Sequence, residues 1–146
     1  HEANIPHRIQ FAGDTVDDLF DDCPPPIQRL GYLGRKALVR AMQHADVLVL
    51  PSRHDSFGRV VVEAMATGLP ALVSEHVGAK EVLTEGTNGW VVPAEDTDAL
   101  AERMRWCVQH PFKVADMQTA AVQAAQGYTW QAYRERVTDV IASIID

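Results

Sequence analysis

Only two cysteines, Cys23 and Cys107, occur in the 146 residues, and neither sits at a spacing that suits a redox pair or a metal knuckle. Both read as reduced thiols of a cytosolic protein. The six histidines never form the close pair that zinc requires, so no metal site is expected. Long apolar runs are missing as well: no stretch nears the ~18 residues of a membrane span. A basic stripe is also missing, because the formal charge of −7 comes from scattered acids with short runs only at Asp17-Asp18 and Asp21-Asp22. That excludes a nucleic-acid backbone as the expected partner. The opening residues His1-Glu2-Ala3-Asn4 carry neither a charged leader nor an apolar signal core, and they read as the interior of a longer protein.

What is present is an ordinary folded composition, 47% hydrophobic and 23% charged, in a length that suits one domain with a buried core. Short β-branched runs alternate with helical patterns, the signature of parallel strands joined by crossover helices. The fold class expected is therefore α/β, a Rossmann-like doubly wound parallel sheet. Strands are expected at Arg8 to Phe11, Ile27 to Gly31, Val47 to Leu50, Ala71 to Ser74 and Trp90 to Val92. Helices are expected at Arg35 to Ala45, Arg59 to Thr67 and, briefly, Lys80 to Thr84. Asp17 to Asp22 reads as a short helical turn before Pro24-Pro25-Pro26. From Asp96 the pattern turns helical, with Leu100, Met104 and Cys107 on one face, Pro111 as punctuation, then helices over Val114 to Gln126 and Trp130 to Ile145. No repeat or linker interrupts the chain, so 1–146 reads as one domain, core 7–109 with a helical tail 110–146. Trp90, Trp106 and Trp130 read as packing residues.

The informative segment runs from Ala45 to Pro70, a strand, a loop, a helix and the entry to a second strand. Ser56 is placed to cap the helix, which would leave the amides of Phe57, Gly58 and Arg59 pointing out of its first turn toward an anion. Gly58, lacking a side chain, would let a diphosphate approach those amides. Loops at the carboxyl ends of parallel strands are where open α/β sheets bind ligands. Asp55 stands in such a loop, where a carboxylate can accept from sugar hydroxyls, and Glu63 on the following helix could reach a ribose. Arg59 either neutralises phosphate or points to solvent.

This arrangement resembles the retaining, B-type-fold glycosyltransferases, a family that includes sucrose synthases, glycogen synthases and bacterial mannosyl- and glucosyltransferases. Two acids separated by seven residues, here Asp55 and Glu63, precede Ala64-Met65-Ala66-Thr67-Gly68-Leu69-Pro70, as in the family. The similarity runs from about Ile9 to Arg105, taking in Phe11-Ala12-Gly13-Asp14, Leu30-Gly31-Tyr32-Leu33 and Asn88-Gly89-Trp90-Val91-Val92-Pro93. Two positions depart from the pattern: Asp55 replaces the usual Glu, and Val77 stands where a second glycine is frequent before Gly78. The resemblance implies that Tyr32 and Leu33 lie beside the nucleotide base, that Phe57 to Val60 hold sugar and diphosphate, and that Glu63 binds the ribose. Gly78 resembles a loop glycine near the donor.

By the same resemblance the chain is the donor-binding, C-terminal half of the B-type fold, lacking its first strand and helix and the Arg and Lys they carry. That strand belongs at the centre of the sheet, between the strands at Arg8 and Val47, so unpaired edges are expected. Another chain or segment would cover them, a homodimer included. The full enzyme would move a hexose from a nucleotide diphosphate sugar with retention, with no obligatory metal and no other cofactor. Its acceptor site would lie in a missing N-terminal domain, the isolated chain would be inactive, and peripheral membrane association would suit the intact enzyme. A nucleotide-sugar epimerase of the same fold and a non-catalytic nucleotide-sugar-binding domain stay open as alternatives.

Overall fold

A computed structural model describes residues 7–14 and 27–145. Its elements, in chain order, are β1 (Ile9–Ala12), β2 (Ile27–Gly31), α1 (Arg35–Gln43), β3 (Leu48–Leu50), α2 (Arg59–Ala66) and β4 (Ala71–Ser74). A 3₁₀ turn at Gly78–Val82 follows, then β5 (Gly89–Val92), α3 (Thr97–Gln109), α4 (Pro111–Asp116), α5 (Gln118–Gln126) and α6 (Trp130–Ile145). The helical turn expected at Asp17 to Asp22 lies outside the described residues.

All pairings between strands are parallel, in a three-stranded sheet of order β3-β4-β5 and a two-stranded sheet of β1 with β2. Among the described residues β1 therefore pairs on one side only, with β2, and β3 on one side only, with β4. The larger sheet is covered on both faces, which is why its strands read as continuous apolar runs. Ala71 and Val73 of β4, with Leu48 and Leu50, turn to Val61 and Met65 of α2 and to Ala121 and Ala125 of α5. Leu72, Val49, Trp90 and Val92 turn the other way, to Leu100, Met104 and Cys107 of α3 and Val114 of α4. Alternate residues of one strand thus serve opposite layers, the doubly wound arrangement.

The Ala64-to-Pro70 string has a backbone cause. Gly68 takes a left-handed φ of +89° just past α2. Its N–H bonds to the Met65 carbonyl at 3.0 Å and the Leu69 N–H reaches back to Ala64 at 3.1 Å, the paired bonds of a Schellman stop. Leu69 is buried beside Ala64 and Met42, the apolar contact that accompanies this cap. Pro70 then feeds the chain into β4 without a donor to satisfy.

The structure redraws two of the expected helices, in three respects. The turn after β4 is 3₁₀ rather than α-helical and begins at Gly78, two residues ahead of Lys80. Pro111 opens α4 as its first helical residue instead of merely separating neighbours. The helix expected over Val114 to Gln126 is broken at Met117, because the chain changes layers there. Val114 and Met117 pack with Trp90 on one face of the sheet, whereas Ala121 and Ala125 pack with α2 on the other. The helical run is thus integral to the core through Ala125. Beyond it, α6 leaves Trp130, Tyr133, Val140, Ile141 and Ile144 exposed.

Candidate functional site

Two loops meet at the carboxyl end of the three-stranded sheet, Pro51 to Gly58 after β3 and Glu75 to Val77 after β4. Their backbones are stitched together. The Asp55 N–H donates to the His76 carbonyl at 3.1 Å and the Gly78 N–H donates to the Asp55 carbonyl at 3.0 Å. The Ala79 N–H donates to Phe57, His76 Nδ1 lies 3.0 Å from the Arg53 carbonyl, and Ser74 Oγ donates to Ser52.

This stitching requires small residues at two places. A Cβ on Gly78 would lie 2.3 Å from the Ser56 carbonyl oxygen and 3.0 Å from Phe57 Cα. Gly58 sits at φ +79°, and a Cβ there would meet Val77 Cγ1 at 2.7 Å and Leu50 at 3.4 Å. The space that Gly58 leaves is thus filled from inside by Val77, whose branched side chain is fully buried. Gly58 is required by the core behind the loop, and the expectation that its bare Cα opens the way for a diphosphate is corrected accordingly.

The helix cap is also corrected. Ser56 was expected to cap α2; the N-cap is Gly58, with no side-chain hydrogen bond, and α2 starts at Arg59. Asp55 takes the local role instead: its Oδ1 accepts from the Phe57 N–H at 3.1 Å, closing an Asx turn that occupies one of the amides expected to face an anion. The Val61 N–H closes the first turn onto Gly58 at 2.9 Å. Gly58, Arg59 and Val60 therefore supply the open helix-end amides, one residue further along than expected.

The side chains around that opening are solvent-accessible. Glu63, one turn into α2, holds Arg59 through a 3.3 Å bond from Nη2 to Oε1. An exposed i,i+4 pair of this kind contributes about 0.5 kcal/mol, so an arriving ligand can displace it. Phe57 is 39% exposed, Ser56 is exposed and Val60 half-buried. Tyr32, 82% exposed, and half-buried Leu33 follow β2. Neither shares a hydrogen bond or ring contact with the Gly58 loop among the described residues. Asp55, Ser56, Phe57, Gly58, Arg59, Val60, Glu63 and Gly78 are thus gathered at one sheet end, with Tyr32 and Leu33 on the separate β1–β2 unit.

Sequence reasoning missed the neighbours that come from far along the chain. Tyr128 stands with its ring centroid 6.4 Å from that of Phe57, and the ring of Trp130 lies 5.8 Å from the Arg59 guanidinium carbon. Trp130 is 67% exposed, which corrects its reading as a packing residue. The available signal was the aromatic spacing Tyr128-Thr129-Trp130 where the helical pattern breaks. On the other face of the sheet, burial pushes the Cys107 thiol up to about 11 against the opposing charge of Arg103 and a backbone hydrogen bond. An open hollow of about 510 Å³ near Trp90, Arg103 and Trp106 lies at the entry end of β5, away from the two loops. Among the described residues no group of three His, Cys, Asp or Glu stands close enough to hold a metal, and no helix is long and apolar enough to cross a membrane.

A helix opening that presents amides and a cation, with one carboxylate before it and one a turn beyond, can bind an anion and orient hydroxyl-bearing groups beside it. Known proteins resemble this chain in sequence and in fold. The family model for glycosyl transferases group 1 matches residues 25–127. A D-inositol 3-phosphate glycosyltransferase of Saccharomonospora viridis is 30% identical over 129 residues, covering 88% of this chain and 27% of that protein. Among solved structures, Anabaena Alr3699/HepE in complex with UDP superposes with a TM-score of 0.76 at 22% identity, over 93% of this chain and 41% of that one. TarM superposes with a TM-score of 0.78 at 16% identity, over 90% of this chain and 28% of that one. The chain spans well under half the length of the curated relatives it matches. Its fold is that of the B-type glycosyltransferases, and the chain belongs to the group 1 glycosyltransferases.

Proposed function

We propose that this chain binds the nucleoside diphosphate sugar of a retaining hexosyltransferase, with the diphosphate at the opening of α2. The observation that carries this reading is the grouping of the Gly58, Arg59 and Val60 amides, the Arg59 cation and the two carboxylates at the carboxyl end of a parallel sheet. Glu63 binds the ribose once Arg59 turns from it to phosphate. The free oxygen positions of Asp55 face the sugar, because one of its oxygens is already held by Phe57. Tyr32 and Leu33 flank the base. During transfer the bond from the anomeric carbon to the diphosphate breaks and its electron pair stays on the diphosphate, where amides and Arg59 stabilise the growing charge.

That the Anabaena protein was solved with UDP and also with UDP-glucose supports a donor of this class. The remainder of the enzyme supplies the acceptor site and a segment beside β1 and β3, each of which pairs with one strand among the described residues. On this reading the protein works in the cytoplasm without a metal or other cofactor, and the isolated chain binds donor without transferring sugar.

The test is calorimetric titration of UDP and GDP, and of their glucose and mannose conjugates, into the wild type and Glu63→Gln. The expected result is binding of one nucleotide by the wild type and a loss of about tenfold in the variant, equivalent to one charge-assisted hydrogen bond. Equal affinity in the two proteins removes Glu63 from the site, and absence of binding to every nucleotide removes the site.

A further inference from the structure

The α2 opening is unusual in its charge. Its first turn holds no acid and carries Arg59 at the first helical position, although a cation there opposes the helix dipole by about 0.3–1 kcal/mol. Local preference is thus given up at the point where an anion is to be bound, which is where such departures concentrate. Something must keep the guanidinium in place. Ordering a long exposed side chain costs up to about 2 kcal/mol, and the 3.3 Å pair with Glu63 offsets only a part of that.

The second support comes from the C-terminal helix. The Trp130 ring lies 5.8 Å from the Arg59 guanidinium carbon, a cation–π contact worth about 0.5–1 kcal/mol at an exposed site. Trp130 is itself held. Tyr133 meets it edge-on at 5.9 Å, and Thr129 Oγ1 accepts from the Ala132 N–H at 3.1 Å, fixing the start of α6. Arg136 donates to the Gly127 carbonyl at 2.9 Å and lies 5.4 Å over Tyr128, which in turn stands against Phe57. Two successive contacts, Tyr128 with Phe57 and Trp130 with Arg59, therefore bring the α5–α6 junction against the same loop.

We propose that Trp130 is a positioning residue of the donor site: its indole face holds Arg59 at the open end of α2, from where the guanidinium exchanges Glu63 for the donor diphosphate. The inference rests on the donor-binding reading above and adds a part of the chain which that reading does not use. Trp130 acts through Arg59, so its contribution disappears when Arg59 is gone. A residue that merely stabilised the fold would contribute equally in both backgrounds.

The experiment is a double-mutant cycle in the full chain, read as UDP affinity with GDP in parallel, for wild type, Trp130→Ala, Arg59→Leu and the double variant, with Trp130→Phe as the conservative control. The expected result is a three- to tenfold loss for Trp130→Ala, less than a twofold further loss when the same change is made on Arg59→Leu, and recovery of most of the affinity in Trp130→Phe. No loss in Trp130→Ala, or a loss of the same size in the Arg59→Leu background, overturns the proposal. Thermal unfolding of each variant separates a lost fold from a lost contact, and the exposure of Trp130 predicts unchanged midpoints. Failure of the donor-binding reading has a different signature. The wild type then binds neither nucleotide, and the proposal falls with it, while the Trp130 indole N–H resonance still shifts on Arg59→Leu in ligand-free protein.

Discussion

The two sheets are built from strands of similar length with the same parallel pairing, yet among the described residues one is covered on both faces and the other is largely exposed. Every residue of β4 is buried, whereas β1 and β2 expose Ile9, Gln28 and Arg29, and Gln10 donates to Gln28 through a 3.0 Å side-chain bond. Pairing does not produce this difference; cover does. The β3-β4-β5 sheet has α2 and α5 on one side and α3 and α4 on the other, so each residue finds a layer to pack into. The sequence carries the distinction openly, since Ala71-Leu72-Val73-Ser74 is a continuous small apolar run while Ile27-Gln28-Arg29-Leu30 mixes polar residues into the strand.

Truncating the larger sheet's packing should break the comparison most visibly. Trp90 is 1% exposed with Trp106 edge-on at 5.5 Å, and Trp90→Ala is expected to destabilise the chain by about 4 kcal/mol in denaturant unfolding. A loss below about 1 kcal/mol would mean that stability resides outside this sheet. Next comes the stitched end of the same sheet. Gly78→Ala places a methyl against the Ser56 carbonyl, a backbone atom that cannot rotate away, and about 3 kcal/mol is expected. An unperturbed Gly78→Ala would show the two loops to be slack.

Amide exchange compares the two sheets directly. Leu72 and Val73 should exchange about 100-fold more slowly than Gln28 and Arg29, and equal protection would erase the distinction. The smallest effect concerns the thiol packed beneath the larger sheet. With its pKa raised from 9.0 to about 11, Cys107 favours the neutral form in the folded state, so its contribution to stability is complete below pH 9 and is lost as pH rises toward 11. At pH 8 its alkylation should be roughly 100-fold slower than that of an unfolded control, and equal rates would place the thiol at the surface.

Much of this was legible from residue order. The bounds of β2, β4 and α6 agree with the sequence pattern, and the Gly68 stop follows from local rules because every bond in it lies within six residues. What sequence could not give has two physical sources. One is competition between equivalent local devices: Ser56 and Asp55 could each bond a nearby amide, and Asp55 wins because Gly58 turns left-handed and moves the helix start to Arg59. The other is distance along the chain. Val77 closing over Gly58, the layer change at Met117 and Trp130 lying on Arg59 all depend on which elements meet in space, and no periodicity carries that information.

The cross-loop bonds from Asp55 to His76, from Gly78 to Asp55 and from Ala79 to Phe57 join main-chain atoms. Selection therefore sees two kinds of position in one short segment. Insertion or deletion of a residue would throw the two backbones out of step, so loop length is frozen, while outward positions such as Arg53, His54 and Ser56 can change identity at little cost to the scaffold. Those outward side chains can be exchanged without rebuilding the frame that holds them.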